Sequence, residues 1–291
     1  MDVYGGLDPY IGTVIAGRYR VLRLLGTGQM ANVYVADQIT LARNVAIKMM
    51  LDELELDDVA VQRFRREVNI VATLRSPHTI QCYDAGEAEN GSLFLAMELL
   101  AGETLRDWMQ RDGTIPAADV IAIAAQVGAS LQEAHDAGIV HRDLKPENVF
   151  SCAHATPLRP FVKVLDFGLA KLITPESKSM RLTDRCHVVG TPAYMAPELV
   201  VRGRSIDHRS DIYALGVMCF EMLTGQLPFG GDTPTMMALA QATAPIPRAS
   251  EADPRLPVAI DHAFDRLLAK DPAMRPQNAT EVADVLADVL L

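Results

Sequence analysis

HRDLKPENV, at His141–Val149, sets a carboxylate (Asp143), an ammonium (Lys145) and a carboxamide (Asn148) within one short polar loop. Before it runs a stretch with apolar residues at helical spacing, Ile121, Ala125, Leu131 and His135, opened by Pro116 and ended by Gly138. After it come two short apolar runs, Asn148–Phe150 and Val162–Leu165, which read as strands, with DFG at Asp166–Gly168 directly behind. What lies on either side of this loop decides the fold.

Toward the N-terminus the pattern is strand-like. YRVLRLLG from Tyr19, NVYVADQ (Asn32–Gln38) and NVAIKMM (Asn44–Met50) are rich in Val, Ile, Leu and Tyr and are separated by Gly or polar breaks, which predicts an antiparallel meander. VAVQRFRREVNIVATLR follows, with Val61, Phe64, Val68, Val71 and Leu74 spaced for a helix that Pro77 stops. Two further strands are expected near Thr79–Ala85 and Leu93–Leu99, and Thr104 is placed to cap a short helix at Leu105–Arg111. Residues 168–194 are irregular, and helices dominate from there to the end. Residues 1–16 show no pattern and read as a loose lead-in. The expectation is an α+β fold in two lobes: a first lobe at 17–98 (antiparallel sheet plus one helix), a hinge at 98–102, and a mainly helical second lobe at 103–291.

Composition narrows the function. The chain has 291 residues, 49% hydrophobic and 22% charged, with a net charge of −10. That charge argues against a nucleic-acid surface, which needs Lys and Arg in excess. The four cysteines, Cys82, Cys152, Cys186 and Cys219, form no CxxC pair, so a reducing compartment fits better than a disulfide framework or a zinc site. The most apolar stretches, Val120–Ala129 and Ile212–Leu223, fall short of the ~18–20 apolar residues of a membrane span. The N-terminus has neither the basic start nor the apolar run of a secretory signal. The expected location is the cytoplasm.

Two upstream motifs point to phosphate. GTGQMANV (Gly26–Val33) lies between two strands, where glycines let backbone N–H groups approach an anion with no Cβ in the way. No GK[ST] follows, so it is not a Walker A loop. VAIK ends in Lys48 on the next strand, whose apolar neighbours would hold an ammonium in need of an anion, with Glu67 as its best carboxylate partner. Taken alone, the glycine loop reads equally well as a plain hairpin, and Lys48 and Glu67 read better as a surface lysine and a solvated glutamate.

HRDLKPENV ends that ambiguity, because it is similar to the catalytic loop of eukaryotic-type (Hanks-type) serine/threonine protein kinases, and most like the bacterial members. The motifs occur in the family's order from Gly26 to Arg275. The resemblance implies that ATP binds between two lobes with Mg²⁺ and that a protein serine or threonine is phosphorylated. It implies that Asp143 receives the hydroxyl proton, Lys145 contacts the γ-phosphate, Lys48 and Glu67 align phosphates, and Asn148 and Asp166 hold the metal. Gly26, Thr27, Gly28, Gln29, Met30 and Ala31 would form the phosphate loop, with Ala31 replacing the family's third glycine. Val33, Ala46 and Phe150 would enclose the adenine, Met97 would guard the back of the pocket, and the backbone of Glu98 and Leu100 would meet the adenine edge. Phe150 departs from the smaller aliphatic usual there.

The same resemblance gives structural roles. Phe167 would pack under the first-lobe helix, and Gly168 would permit a backbone flip. GTPAYMAPE (Gly190–Glu198) looks like the substrate-docking loop, with Glu198 paired to Arg275 and the Thr191 hydroxyl turned to Asp143 and Lys145. Asp211, in SDIYALG, resembles the helix aspartate that braces the catalytic loop. Arg142 beside Asp143 calls for a loop phosphate as counter-anion; Thr183 is the expected site, with Thr174, Ser177 and Ser179 behind it and Lys171 near the cluster. Protein substrates are the expected partners, and a homodimer for trans-autophosphorylation is left open. The rival reading is a pseudokinase scaffold, but Lys48, Asp143, Asn148 and Asp166 are all present. A small-molecule phosphotransferase of similar fold would lack the GTPAYMAPE loop.

Overall fold

The computed structural model describes residues 8–28, 31–51, 62, 68, 71–153, 160–167, 192–201 and 206–291. The described residues up to Leu74, together with Ile80–Ala101, form one compact unit; Arg75–Thr79 and the described residues from Gly102 onward belong to a second.

The first unit is a six-stranded antiparallel sheet: β1 (Val14–Ile15), β2 (Tyr19–Thr27), β3 (Ala31–Gln38), β4 (Arg43–Met50), β5 (Cys82–Glu87) and β6 (Leu93–Glu98), in the order β1-β2-β3-β4-β6-β5. Its register follows from the two-residue period of side chains. Val33, Lys48 and Leu95 lie opposite one another across β3, β4 and β6, and Val35, Ala46 and Met97 form the next such row. The alternate residues, Tyr34, Ala36, Val45, Ile47, Phe94 and Ala96, turn to the other face and build a buried core with Tyr19 and Val21. A slip of one residue would push Lys48 into that core, so the apolar face itself specifies the register.

Two details depart from the sequence pattern. Residues 8–16 do more than lead in. Ile15 is buried, Gly12 N–H donates to Val21 O (2.9 Å), and Tyr10 meets the Tyr34 ring edge-on at 5.7 Å. A two-residue strand is too short to show a period, which is why it escaped notice. The strand expected from Thr79 begins at Cys82. The buried Thr79 hydroxyl hydrogen-bonds Ser130 (2.7 Å), and Thr79 makes a parallel bridge with Val164 in the second unit. Of the apolar positions expected on the helix before Pro77, Val68, Val71 and Leu74 are described: Val68 and Val71 are helical and buried, while Leu74 lies past the last helical residue and is half-buried.

The second unit is mainly helical. Its small sheet runs β7-β8-β9: Gly102–Thr104, Val149–Cys152 and Val162–Val164. β7 starts at Gly102, the last residue of the expected hinge. Gly102 takes φ +141°, and a Cβ there would sit 2.0 Å from Ser151 O, so only glycine pairs this closely with β8. The helices are α1 (Leu105–Asp112), α2 (Ala117–Asp136), α3 (Pro197–Val200), α4 (Arg209–Thr224), α5 (Pro234–Thr243), α6 (Ala249–Ala252), α7 (Ile260–Leu267) and α8 (Glu281–Leu290). Thr104 caps α1 in a reciprocal box with Asp107. α4 is buried from Ser210 to Thr224, as a helix apolar on all sides must be, and the rest of the unit is built around it. None of the described helices is long and apolar enough to cross a membrane.

Candidate functional site

The loop between α2 and β8 carries the chemistry. The Asp143 carboxylate lies 3.2 Å from Lys145 Nζ, and both side chains are about three-quarters buried. Asn148 sits at the end of a short 3-10 turn, Pro146–Asn148, and its Nδ2 donates to Asp143 O (2.8 Å). With the amide nitrogen committed to the loop, the amide oxygen is the atom of Asn148 suited to a hard cation. Leu165 N–H donates to Asn148 O (2.8 Å), so β9 delivers Asp166 beside the loop. Asp166 takes φ +49° and Arg142 takes φ +62°. Left-handed backbone costs a non-glycine residue roughly 1–2 kcal/mol, and two such residues in the proposed machinery need support from their surroundings.

That support is Asp211, on the first turn of α4 and 1% exposed. Its carboxylate accepts the backbone N–H of His141 (2.8 Å) and of Arg142 (2.9 Å), and the Nε2 of His135 (2.8 Å). Burial alone would raise its pKa, but the hydrogen bonds from His135 and from the His141 backbone hold the carboxyl below the ordinary range, so it stays an anion. His141 completes the brace. Its Nδ1 accepts from Asp143 N (3.3 Å), which leaves Nε2 to donate to Leu165 O (2.8 Å), and its ring lies 5.0 Å from that of the buried Phe167. The structure thus brings Asp211, Arg142, Asp143 and Phe167 together. His135 was read from sequence only as a buried helix position; its second role was hidden because Asp211 is 76 residues away.

Two more attachments hold the segment from Pro192 to Glu198. Glu198 and Arg275 form a two-pronged ion pair at 2.7 and 2.8 Å, with side chains 1% and 0% exposed. Arg275 also donates to Ala269 O (2.8 Å) and Arg209 O (2.9 Å), so its buried donors are used. Removing one partner from such a pair costs on the order of 3–5 kcal/mol, because a buried charge is left alone. The other attachment was missed in the sequence. The Tyr194 hydroxyl donates to Glu221 of α4 and accepts from Arg106 of α1, and Arg106 also meets Glu221 (2.8 Å) and Glu147 (3.0 Å). Burial and the Glu221 carboxylate push the Tyr194 phenol well above its ordinary range, so it remains a donor. Tyr194 lies inside GTPAYMAPE, but nothing in its own stretch points to α1.

In the first unit, Val33, Ala46, Lys48 and Met97 share the sheet face opposite the core. Gly26 pairs with Val33, and Thr27 with Asn32. A Cβ added to Gly26 would meet nothing within 4 Å, so the protein's own packing does not demand glycine there. Gly28 donates to Ala31 O (2.9 Å), closing the hairpin. Glu98 N–H donates to Gln81 O (3.0 Å), so this N–H is committed. Leu100 lies just beyond β6, and Phe150 stands on β8 opposite Thr104. Within the first unit, small or apolar side chains and a lysine on one sheet face fit a nucleotide; within the second, the amide oxygen of Asn148 and the carboxylate of Asp166 are the oxygen ligands a hard cation takes. Gln29, Met30, Glu67, Gly168, Thr183 and Thr191 lie outside the described residues, as do Lys171, Thr174, Ser177 and Ser179.

Known proteins share this fold. The family model described as protein kinase domain matches residues 19–286. Serine/threonine-protein kinase pkn3 of Myxococcus xanthus is 41% identical over 94% of this chain and 50% of its own length. PrkC of Bacillus subtilis, named a serine/threonine-protein kinase, is 36% identical over 94% of this chain and 41% of its own length. The crystal structure of the Mycobacterium tuberculosis PknI kinase domain superposes with a TM-score of 0.74 at 28% identity, covering 97% of this chain and 99% of that one. The chain spans half or less of the length of these curated relatives. Its antiparallel sheet unit and helical unit are those of the protein kinase fold, and the chain belongs to the protein kinase domain family, alongside bacterial Hanks-type serine/threonine kinases.

Proposed function

We propose that this protein is an ATP-dependent kinase that phosphorylates serine and threonine hydroxyls of proteins, and that it does so in signal transduction. The observation that carries the reading is the braced loop. Asp143, Lys145 and Asn148 are held together, and their backbone is fastened to the buried Asp211 anion. A scaffold that no longer catalyses has no need of this arrangement. The family implies ATP and a magnesium ion, and the oxygen of Asn148 and the carboxylate of Asp166 would hold the metal, which would neutralise phosphate charge.

The residues then divide the work. Asp143 orients the acceptor hydroxyl and receives its proton as the oxygen bonds to the γ-phosphorus and the bond to the β-phosphate oxygen breaks. Lys145 offers positive charge to the transferring group. Lys48, with Glu67 as partner, aligns the phosphates from the first unit. Gly26–Ala31 supply backbone N–H groups; Val33, Ala46, Met97 and Phe150 contact the base, and Glu98 and Leu100 meet its edge. Little covalent help is needed, so alignment and charge carry most of the rate. GTPAYMAPE presents the acceptor, and autophosphorylation at Thr183, in a transient homodimer, would supply a phosphate for Arg142. The proposed lobes are 17–98 and 103–291 with a hinge at 98–102, and the proposed setting is the cytoplasm.

The test compares wild type with Asp143→Asn. MgATP should raise the melting temperature of both, and only wild type should transfer phosphate to a protein acceptor. Stabilisation without transfer by wild type would favour the scaffold reading.

A further inference from the structure

We propose that Gln241 is a positioning residue for the protein acceptor: from α5 it holds the Pro192–Tyr194 turn of the docking segment in place. The inference rests on the kinase reading above. Gln241 is fully buried, yet it is polar, and every polar group it carries for which a contact is described is engaged. Its Nε2 donates to Ala193 O, its Oε1 accepts from the Tyr213 hydroxyl (2.7 Å), and its main-chain O accepts from Lys270 Nζ (2.7 Å). The amide has one workable orientation. Ala193 O can only accept, so the side facing it must be the NH₂; a flipped amide would set two oxygens against each other.

An apolar residue would fill this site without the cost of burying an amide, roughly 1–3 kcal/mol when unpaired. What the glutamine adds is a specific grip on one carbonyl. The neighbouring residue is gripped from elsewhere, since the Tyr194 hydroxyl is held by Glu221 of α4 and Arg106 of α1. Tyr213 joins Gln241 to the third attachment, because the Arg275 guanidinium lies 4.8 Å over its ring while pairing with Glu198. Lys270 holds α5 from outside, its ammonium 3.7 Å from the Phe229 ring centre. Gln241 has no described contact with Asp143, Lys145, Asn148 or Asp166. Its loss should therefore disturb how a protein acceptor docks and leave phosphate handling alone.

The test uses the full chain, with Gln241→Glu and Tyr213→Phe, and dephosphorylated casein as acceptor. Gln241→Glu sets a carboxylate against Ala193 O; Tyr213→Phe keeps the ring beneath Arg275 and removes only the hydroxyl that anchors Oε1. Gln241→Glu should lower kcat/KM for casein about tenfold, mainly through KM, with a smaller change of the same sign in Tyr213→Phe. The KM for MgATP and the hydrolysis of ATP without acceptor should stay within about twofold. Hydrogen exchange should quicken in peptides covering residues 192–196 and not in those covering 141–149. Unchanged casein KM and unchanged exchange at 192–196 would overturn the proposal. So would casein transfer and ATP hydrolysis falling together with faster exchange at 141–149. If Gln241→Glu does not fold, Tyr213→Phe decides by the same readouts. Failure of wild type to phosphorylate casein or itself would sink the kinase reading, while exchange at 192–196 would still decide the grip.

Discussion

Replacing Asp211 by Asn removes one charge and changes almost no volume, so its effect can be worked from the hydrogen bonds alone. The carboxylate accepts three: His135 Nε2 and His141 N on one oxygen, Arg142 N on the other. Asn offers one oxygen and one NH₂. If the oxygen takes the side with two donors, the NH₂ faces the Arg142 N–H, which loses its acceptor. Hydrogen bonds to a charged group contribute about 1.5–3 kcal/mol each, and a buried N–H left unpaired costs about 1–3 kcal/mol. The expected loss is roughly 2–5 kcal/mol, or a melting temperature lower by about 3–8 °C for a chain of this size. Arg142, held at φ +62°, should relax and carry Asp143 with it. A loss of alignment worth about 1.4–2.8 kcal/mol would lower kcat tenfold to hundredfold, with little change in the KM for MgATP. The pH dependence has a definite sign. Asp211 is held below the ordinary carboxylate range when folded, so its stabilisation is complete above that range and is lost as pH falls through the folded value. The gap between wild type and variant should therefore shrink in acid. Thermal denaturation by circular dichroism and steady-state kinetics read both effects. A variant within about 0.5 kcal/mol of wild type and within twofold in kcat would refute the bracing role.

Other expectations follow from the same assignments. Lys48→Met should keep the fold and cut transfer by a hundredfold or more, since charge on the phosphates contributes ~3 kcal/mol; near-normal turnover at unchanged ATP affinity would count against its role. Asp143→Asn should keep MgATP binding and lose turnover, whereas Asp166→Asn should also shift the Mg²⁺ requirement upward, and identical metal titrations would undo that division. Thr183→Ala should lower the activity of a chain preincubated with MgATP, and mass mapping should find phosphate on Thr183 in wild type; an unmodified Thr183 would move the switch elsewhere.

Much of the fold was legible because its signals are local. The strand runs at Tyr19, Asn32 and Asn44, the cap at Thr104 and the helix ended by Gly138 all lie within a few residues of what causes them. β1 and β7 were not legible, since strands of two or three residues show no period and exist only through the partner they meet. At the candidate site, the pairing of Glu198 with Arg275 and the contact of Asp211 with the loop came from resemblance, because the partners are 77 and about 70 residues apart. Arg106, Glu221 and Gln241 lie in amphipathic or apolar helices, where a single polar residue reads as a solvated one. Their buried partners appear only once α1, α4 and α5 are packed.

The most direct test of the central claim is phosphoamino-acid analysis of the chain and of casein after incubation with γ-labelled ATP and Mg²⁺. Phosphoserine and phosphothreonine should appear, dependent on Asp143, with little phosphotyrosine. Predominant phosphotyrosine, or labelling that survives Asp143→Asn undiminished, would contradict it.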